Sequence, residues 1–351
     1  MIKKSIIFAL TILTFYACSS AEKVVVKKKP VKRNAKVVAL TFDDLPFATN
    51  NEFLSDEEKK KLFNRTLDIL KKENIKITGF LIGNKYDSSW FPYLKRFVQE
   101  GHTLGNHTFS HFNSNEHTAE EYIANVAKCD SLLENIMRRI GKELNIPIDA
   151  PLITQEAKIG KEKKALYYPS PLIKNKKKIN KLLTAEKEEL EKLTVQSINT
   201  NWKYFRYPYL NRGDTKQKKF MIMSAMENMG YKISPVTITS NDWRFNPRFE
   251  IAYLNGDEQD MKELKRLYLN RIKRELFNSE DYSEVTFHRP VKHTMLFHLN
   301  VINSILLEDI IKLLRDSGYD FISVDEALTD EIYQMADGYK GSYGVPWLYR
   351  A

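Results

Sequence analysis

Val37-Val38-Ala39-Leu40-Thr41-Phe42-Asp43-Asp44 is an unbroken apolar run closed by two carboxylates. Its β-branched and aromatic residues, with no helical period, read as a buried strand whose end turns abruptly polar. The following segments repeat the theme. Ser55-Asp56-Glu57-Glu58 is a capping box that opens a helix to about Asn74. A strand is expected over 76–82, a helix over 90–99 closed by Gly101, a strand over 102–107, and a helix from Thr118 towards Ile140. The alternation resumes with strands at 204–209, 232–238, 294–299 and 320–324, and helices at 215–229, 261–277 and 301–317. About seven βα units argue an α/β fold, a parallel sheet or an α/β barrel, over a sandwich.

Composition narrows the class. The chain has 351 residues, 42% of them hydrophobic, enough for one large core or two ordinary ones, which excludes a disordered or fibrous protein. The net charge of +10 is unevenly placed: residues 1–36 carry +8 and residues 151–200 carry +5, which leaves −3 for the rest. A nucleic-acid-binding domain would hold its excess on a folded face, so no nucleic-acid partner is expected. No sequence feature marks a protein partner. The two cysteines, Cys18 and Cys129, exclude a Cys-x-x-Cys metal cluster and a disulfide framework. Cys129 lies in a helical pattern and reads as a structural thiol.

The N-terminus reads as an export signal. Met1–Lys4 is a basic head and residues 5–17 are apolar or small, too short a run to span a bilayer. The residues before Cys18 resemble a bacterial lipoprotein processing site, with Cys18 lipidated as the mature first residue and a membrane anchor as the result. Phe15 departs from the usual Leu of such sites, and cleavage after Ala21 into a secreted soluble form is the alternative. Residues 18–36 read as a basic tether, residues 37–330 as the folded domain, and residues 331–351 as a tail expected to pack on it. Residues 143–200, with Pro147, Pro151, Pro169, Pro171 and the basic run 174–181, break the rhythm as a surface insertion.

In a parallel α/β barrel, catalytic groups belong at strand C-terminal ends. Read in order, those ends carry Asp43-Asp44, His107-Thr-Phe-Ser-His111, Arg206-Tyr207-Pro208-Tyr209, Asn241-Asp242-Trp243 and Leu296-Phe297-His298. Each piece alone has an ordinary structural reading: a turn former, a shared helical face, a surface ion pair, a satisfied core histidine. Jointly they supply two imidazoles and a carboxylate for a divalent metal, plus a second carboxylate, an arginine and a further Asp-His pair. Of the remaining histidines, His102, His117 and His288 read as structural or surface residues, and His293 is the one expected to contact a groove.

These segments resemble the five motifs of the polysaccharide deacetylases, the NodB-homology group also called carbohydrate esterase family four, over about residues 37 to 325. The resemblance implies a distorted, incomplete (β/α) barrel and a divalent ion, zinc foremost, with cobalt, manganese, nickel or iron as substitutes. By that resemblance Asp43 is the general base; Asp44, His107 and His111 are metal ligands; Arg206 holds Asp43; and Asp242 tunes His298, the general acid. The backbone N–H of Tyr209 is an oxyanion donor, and Tyr207, Tyr209, Trp243 and Leu296 are apolar walls for an acetyl methyl and a sugar ring. Leu45 stands where many members carry Gly, Thr239 where a first Asp is common, and the interval from His111 to Arg206 is long. The expected activity is removal of acetyl groups, N-acetyl or O-acetyl, from an envelope or exported glycan such as peptidoglycan or poly-N-acetylglucosamine. Two alternatives remain at this level: a non-haem iron oxygenase built on the same two-His, one-carboxylate set, and a glycan-binding lipoprotein without turnover.

Overall fold

In the computed structural model, which describes residues 36–49, 51–146, 148, 200–339 and 341–351, strand β1 (Lys36–Leu45) is buried from Val38 to Asp43. It runs between β2 (Thr78–Leu81) and β7 (His293–His298), paired in register from Val38 opposite His293 to Asp43 opposite His298. Beyond β2 come β3 (Thr103–Asn106), β4 (Tyr204–Phe205) and β5 (Lys232–Ile233); beyond β7 comes β6 (Ile238–Thr239). The short β8 (Tyr319–Phe321) pairs with the first residues of β1. Every pairing is parallel, and the sheet curls into an open barrel with β5 and β6 as the ends of its order.

The two-residue period of the strands separates an outer from an inner face. Val38, Leu40 and Phe42 belong to the main core with Leu67 and Leu70 of α1 (Asp56–Lys72) and Leu307 and Ile310 of α7 (Val301–Asp316). Ala39 points the other way, into a small cluster with Phe80, Tyr204 and Val324 and Ala327 of the short helix α8 (Val324–Ala327). Thr41 and Asp43 follow Ala39 on that inner face, so the carboxylate at the strand end is aimed by the same alternation that fills the barrel. The outer layer is completed by α2 (Phe91–Gln99), α3 (Ala119–Leu144) and α4 (Lys216–Asn228) on one side and α5 (Asn246–Asn255) and α6 (Glu258–Phe287) on the other. The side chains of Ser55 and Thr118 accept from the backbone N–H groups of Glu58 and Glu121, as helix starts require.

Several expectations need correction. The single strand expected at 232–238 is two strands at opposite ends of the sheet. Pro235 has no N–H to give to a ladder, and the chain between Ile233 and Ile238 crosses the barrel opening. The strand expected at 204–209 stops at Phe205, because Tyr209 and Leu210 turn back with φ of 57° and 58°. The helix expected at 261–277 runs ten residues further, to Phe287. Beyond Leu276 its inner stripe continues with Ser279 and Ser283, so the apolar period fades while the helix does not. Helix α5 went unforeseen because Pro247, tolerated in its first turn, reads as a breaker. His293 lies at the start of β7, at the opposite end of the strand from His298. It is buried, its Nδ1 lies 3.2 Å from Thr237 Oγ1, and burial pushes its pKa down to about 4; it is not a groove contact.

His102 is likewise internal, taking the Ile77 N–H at 3.2 Å, and Cys129 is buried. The signal segment 1–17, Cys18, the tether as far as residue 35, and nearly all of the insertion, residues 149–199, lie outside the described residues.

Phe42 and Phe297, partners in register, stack with ring centroids 5.5 Å apart and are fully buried. Phe297→Ala is expected to lower stability by about 3–5 kcal/mol in urea unfolding; a loss under about 1 kcal/mol would mean that the β1–β7 pair is not the packed centre.

Candidate active site and metal centre

All the strand ends meet at one mouth of the barrel. Asp43 at the end of β1 is 2% exposed and faces Arg206, which follows β4 and is 1% exposed. Arg206 Nη1 donates to both Asp43 oxygens at 3.3 Å, Nη2 to Thr41 Oγ1 at 3.0 Å and Ser234 Oγ at 3.2 Å, and Nε to the Ser234 carbonyl at 2.6 Å. The guanidinium also lies over the Phe80 ring, 4.7 Å from its centroid. A buried cation with every face occupied has one orientation, and it presents Asp43 in one position. Burial lifts the Asp43 carboxyl to about 6, with the Arg206 and His298 charges opposing the rise.

Asp44 turns away from Asp43 because its backbone is left-handed, with φ of 64°. Its Oδ1 lies 3.5 Å from His107 Nε2 and 3.3 Å from His111 Nε2. One donor atom from each of these three residues falls within a 4.8 Å cluster. Asp44 Oδ1 is buried and has no hydrogen-bond partner. His107 Nδ1 lies 2.8 Å from the Arg206 carbonyl, which can only accept, so Nδ1 carries the proton and Nε2 offers a lone pair. Burial holds His107 well below the ordinary histidine range, so the ring is neutral. A carboxylate oxygen without a donor and a deprotonated imidazole nitrogen converging with a second imidazole fit a divalent cation, and Asp44, His107 and His111 are the residues that would hold it.

The His107-to-His111 spacing looked helical, but the segment is a loop after β3. Thr108 and His111 take φ of 65° and 54°. Asn125 on α3 anchors the loop: its carbonyl accepts the Phe109 N–H at 3.2 Å and its Oδ1 the Ser110 N–H at 2.9 Å. These left-handed residues, with Tyr209 and Asn241 at φ of 57° and 58°, ring the same mouth. Backbone strain concentrated at strand ends, where the surrounding contacts sustain it, is typical of a site that aims side chains.

On the opposite side, His298 ends β7 directly across from Asp43. Its Nδ1 lies 2.7 Å from Asp242 Oδ1, and its backbone N–H donates to Asp242 Oδ2 at 2.7 Å. The Asn303 side-chain amide donates to the same Oδ2, and that of Asn300 reaches it at 3.4 Å. Burial alone would lower the His298 pKa. The Asp242 charge and hydrogen bond, with Asp44 and Asp43 behind them, raise it to about 10.

The other expected contacts divide. Tyr209 is 58% exposed with its ring 4.5 Å from that of His111, and Trp243 is 57% exposed beside Asp242. Leu296 is buried on β7, one pair before Phe297. Tyr207 is buried in a second core cluster, edge-on to Phe205 at 4.9 Å, so its ring belongs to packing. Sequence reasoning missed Thr41 and Ser234, which complete the Arg206 shell, and Asn300 and Asn303, which complete that of Asp242. A helix-cap reading of Asn300-Val-Ile-Asn303 was the one signal that could have found the last two. It also missed Lys85, whose Nζ lies 3.7 Å from Asp44 Oδ2.

Residues 30–169 match the family model described as polysaccharide deacetylase. A peptidoglycan-N-acetylglucosamine deacetylase of Bacillus cereus is 38% identical over 104 residues, 29% of this chain and 33% of that protein. A peptidoglycan-N-acetylmuramic acid deacetylase of Bacillus subtilis is 31% identical over 111 residues, 31% of this chain and 21% of that protein. The family match and these relatives support a polysaccharide deacetylase domain, while the chain spans about a third of the length of the first curated relatives it matches. Among solved structures, the chitin deacetylase of Colletotrichum lindemuthianum is similar at 18% identity over 85% of this chain and 89% of that one, with a TM-score of 0.44.

His107→Ala and His111→Ala are expected to weaken zinc binding by more than about 100-fold in competition against a chelating dye, since even outer-shell changes cost about 10–100-fold. Arg206→Met should destabilise the fold by about 3–5 kcal/mol by stranding Asp43, and the double variant Asp43→Asn/Arg206→Met should recover part of that loss. Independent, additive losses in the denaturation series would show that the two side chains do not act as a pair.

Proposed function

We propose that this protein is a metal-dependent hydrolase that removes acetyl groups, N-acetyl foremost, from a cell-envelope or exported polysaccharide, peptidoglycan or poly-N-acetylglucosamine. The observation that carries this reading is the convergence of one carboxylate and two imidazoles on one point. A carboxylate poised near 6 and a histidine held near 10 flank them on adjacent, paired strands. The family match and the names of the relatives favour the same chemistry.

Asp44, His107 and His111 would hold a divalent ion, which would supply Lewis acidity and an acidified water when bound. Asp43 accepts the proton of the attacking water; Arg206 keeps its carboxylate charged and aimed. The Tyr209 backbone N–H faces the developing oxyanion. His298 donates from Nε2 to the leaving amine, because Asp242 retains the proton on Nδ1 and favours the imidazolium. Leu296 and Trp243 bound the acetyl and sugar sides. An oxygenase on the same ligand set has no use for the Asp43–Arg206 or His298–Asp242 pairs.

The N-terminal reading extends the proposal to the cell envelope: residues 1–17 direct export and Cys18 carries a lipid. No helix among the described residues is long and apolar enough to cross a membrane. Cys18→Ser is expected to move the protein from the membrane to the soluble fraction, and unchanged fractionation would dispose of the anchor.

Asp43 must be ionised and His298 protonated, so kcat/KM should rise through about pH 6 and fall through about pH 10. Asp242→Asn removes the charge that raises His298 and should shift the falling limb downwards. The decisive test is acetate release from peptidoglycan, poly-N-acetylglucosamine, chitin oligomers and acetylated xylan, with zinc, cobalt or manganese present and His107→Ala as control. Release from none of them defeats the reading; release that survives exhaustive chelation defeats its metal dependence.

A further inference from the structure

The C-terminal segment reaches the mouth of the barrel at the turn that carries Tyr209. A Cβ built on Gly344 would lie 1.7 Å from the Tyr209 carbonyl oxygen, so this glycine is pressed against the backbone of the turn and no other residue fits without moving it. One turn-length away, the Ser342 carbonyl accepts from the side-chain amide of Asn115, in the loop that follows His111. Arg350 Nη2 donates to the Leu210 carbonyl at 3.1 Å. The segment is itself clamped: Arg350 and Arg212 both pair with Asp337, at 3.1 and 3.2 Å, and the Trp347 N–H donates to the Val236 carbonyl at 2.5 Å.

Residues 342–350 therefore tie together the His111 loop, the Tyr209 turn and the chain that crosses the barrel opening. Tyr209 and Leu210 both hold left-handed φ, which costs free energy unless neighbouring contacts impose it. The strap supplies such contacts at the Tyr209 and Leu210 carbonyls. Between its two anchor points, Ser342 and Gly344, stands Tyr343, 78% exposed and one residue before the glycine that touches the Tyr209 turn; Tyr209 itself is 58% exposed. Two exposed tyrosines beside a site for an acetylated sugar are unusual as packing residues and well suited to stacking on pyranose faces.

We propose that this strap completes the substrate-binding wall, with Gly344 positioning the Tyr209 turn and Tyr343 offering a ring to a neighbouring sugar of a glycan chain. The inference rests on the deacetylase reading for its substrate class. It assigns Tyr343 to binding along the chain and Gly344 to positioning, and neither to the chemical step.

The test compares the wild-type protein with Tyr343→Ala, Tyr343→Trp and Gly344→Ala on a soluble N-acetylglucosamine oligomer and on p-nitrophenyl acetate, which has no second sugar. Tyr343→Ala is expected to raise KM for the oligomer about fivefold, the scale of one aromatic contact, with its kcat and the hydrolysis of the small ester unchanged. Tyr343→Trp should restore KM. Gly344→Ala should lower kcat on both substrates while the thermal midpoint of Tyr343→Ala stays at the wild-type value. Equal oligomer KM for wild type and Tyr343→Ala, with acetate still released, overturns the strap and leaves the deacetylase reading standing. If the wild type releases no acetate, that reading falls, and calorimetric binding of the same oligomer decides the inference: weaker binding by Tyr343→Ala supports it, while equal binding or none overturns it.

Discussion

The structure is organised around one guanidinium buried inside the barrel. Arg206 cannot shed its proton and cannot reach water, so every donor it carries must find an acceptor at that depth. The acceptors come from β1, through Thr41 and Asp43, and from Ser234 in the connection between β5 and β6. The cation thus spans three parts of the curled sheet that are distant in sequence. Its main-chain carbonyl, turned to His107, fixes the tautomer of that ring. One residue therefore orders the Asp43 carboxylate directly and the His107 lone pair through its own backbone.

The same economy governs the two aspartates. Asp43 and Asp44 are adjacent in sequence, and two carboxylates side by side in a cleft repel unless their environments differ. The left-handed backbone at Asp44 separates them: Asp43 points into the barrel towards a cation, and Asp44 points to the histidines and stays in reach of Lys85. Burial raises the one to about 6. Asp44 is buried as well, but its cationic neighbours, His298 first and Lys85 among them, outweigh the burial and bring it to about 2. A single change of backbone hand gives neighbouring residues different chemistry.

Much of this was legible in the chain. The apolar run 37–42 and its successors carry the parallel sheet, because a strand covered on both faces has no room for polar alternation. The polar groups at the strand ends stood out only jointly, since each alone has an ordinary structural reading. Less legible was what depends on contacts across the fold. The break at Pro235 divides one apolar run between two ends of the sheet. The last turns of α6 bury serines, and Tyr207 lies inside a second core while its neighbour Tyr209 is exposed. His293 resembles His298 in sequence context, yet five residues along the strand place it at the other end of the barrel.

The sequence by itself determined the alternation of strands and helices, the residue types available for metal and proton chemistry, and the separation of charge between residues 1–36, residues 151–200 and the rest. These are local properties: period, capping and composition. Tertiary structure alone decided that Arg206 meets Asp43, that Asn300 and Asn303 hold Asp242, and that a glycine at position 344 supports a turn 135 positions earlier in the chain. Those contacts join residues that no local rule pairs, and they exist only because a curled parallel sheet brings all its C-terminal ends to one mouth.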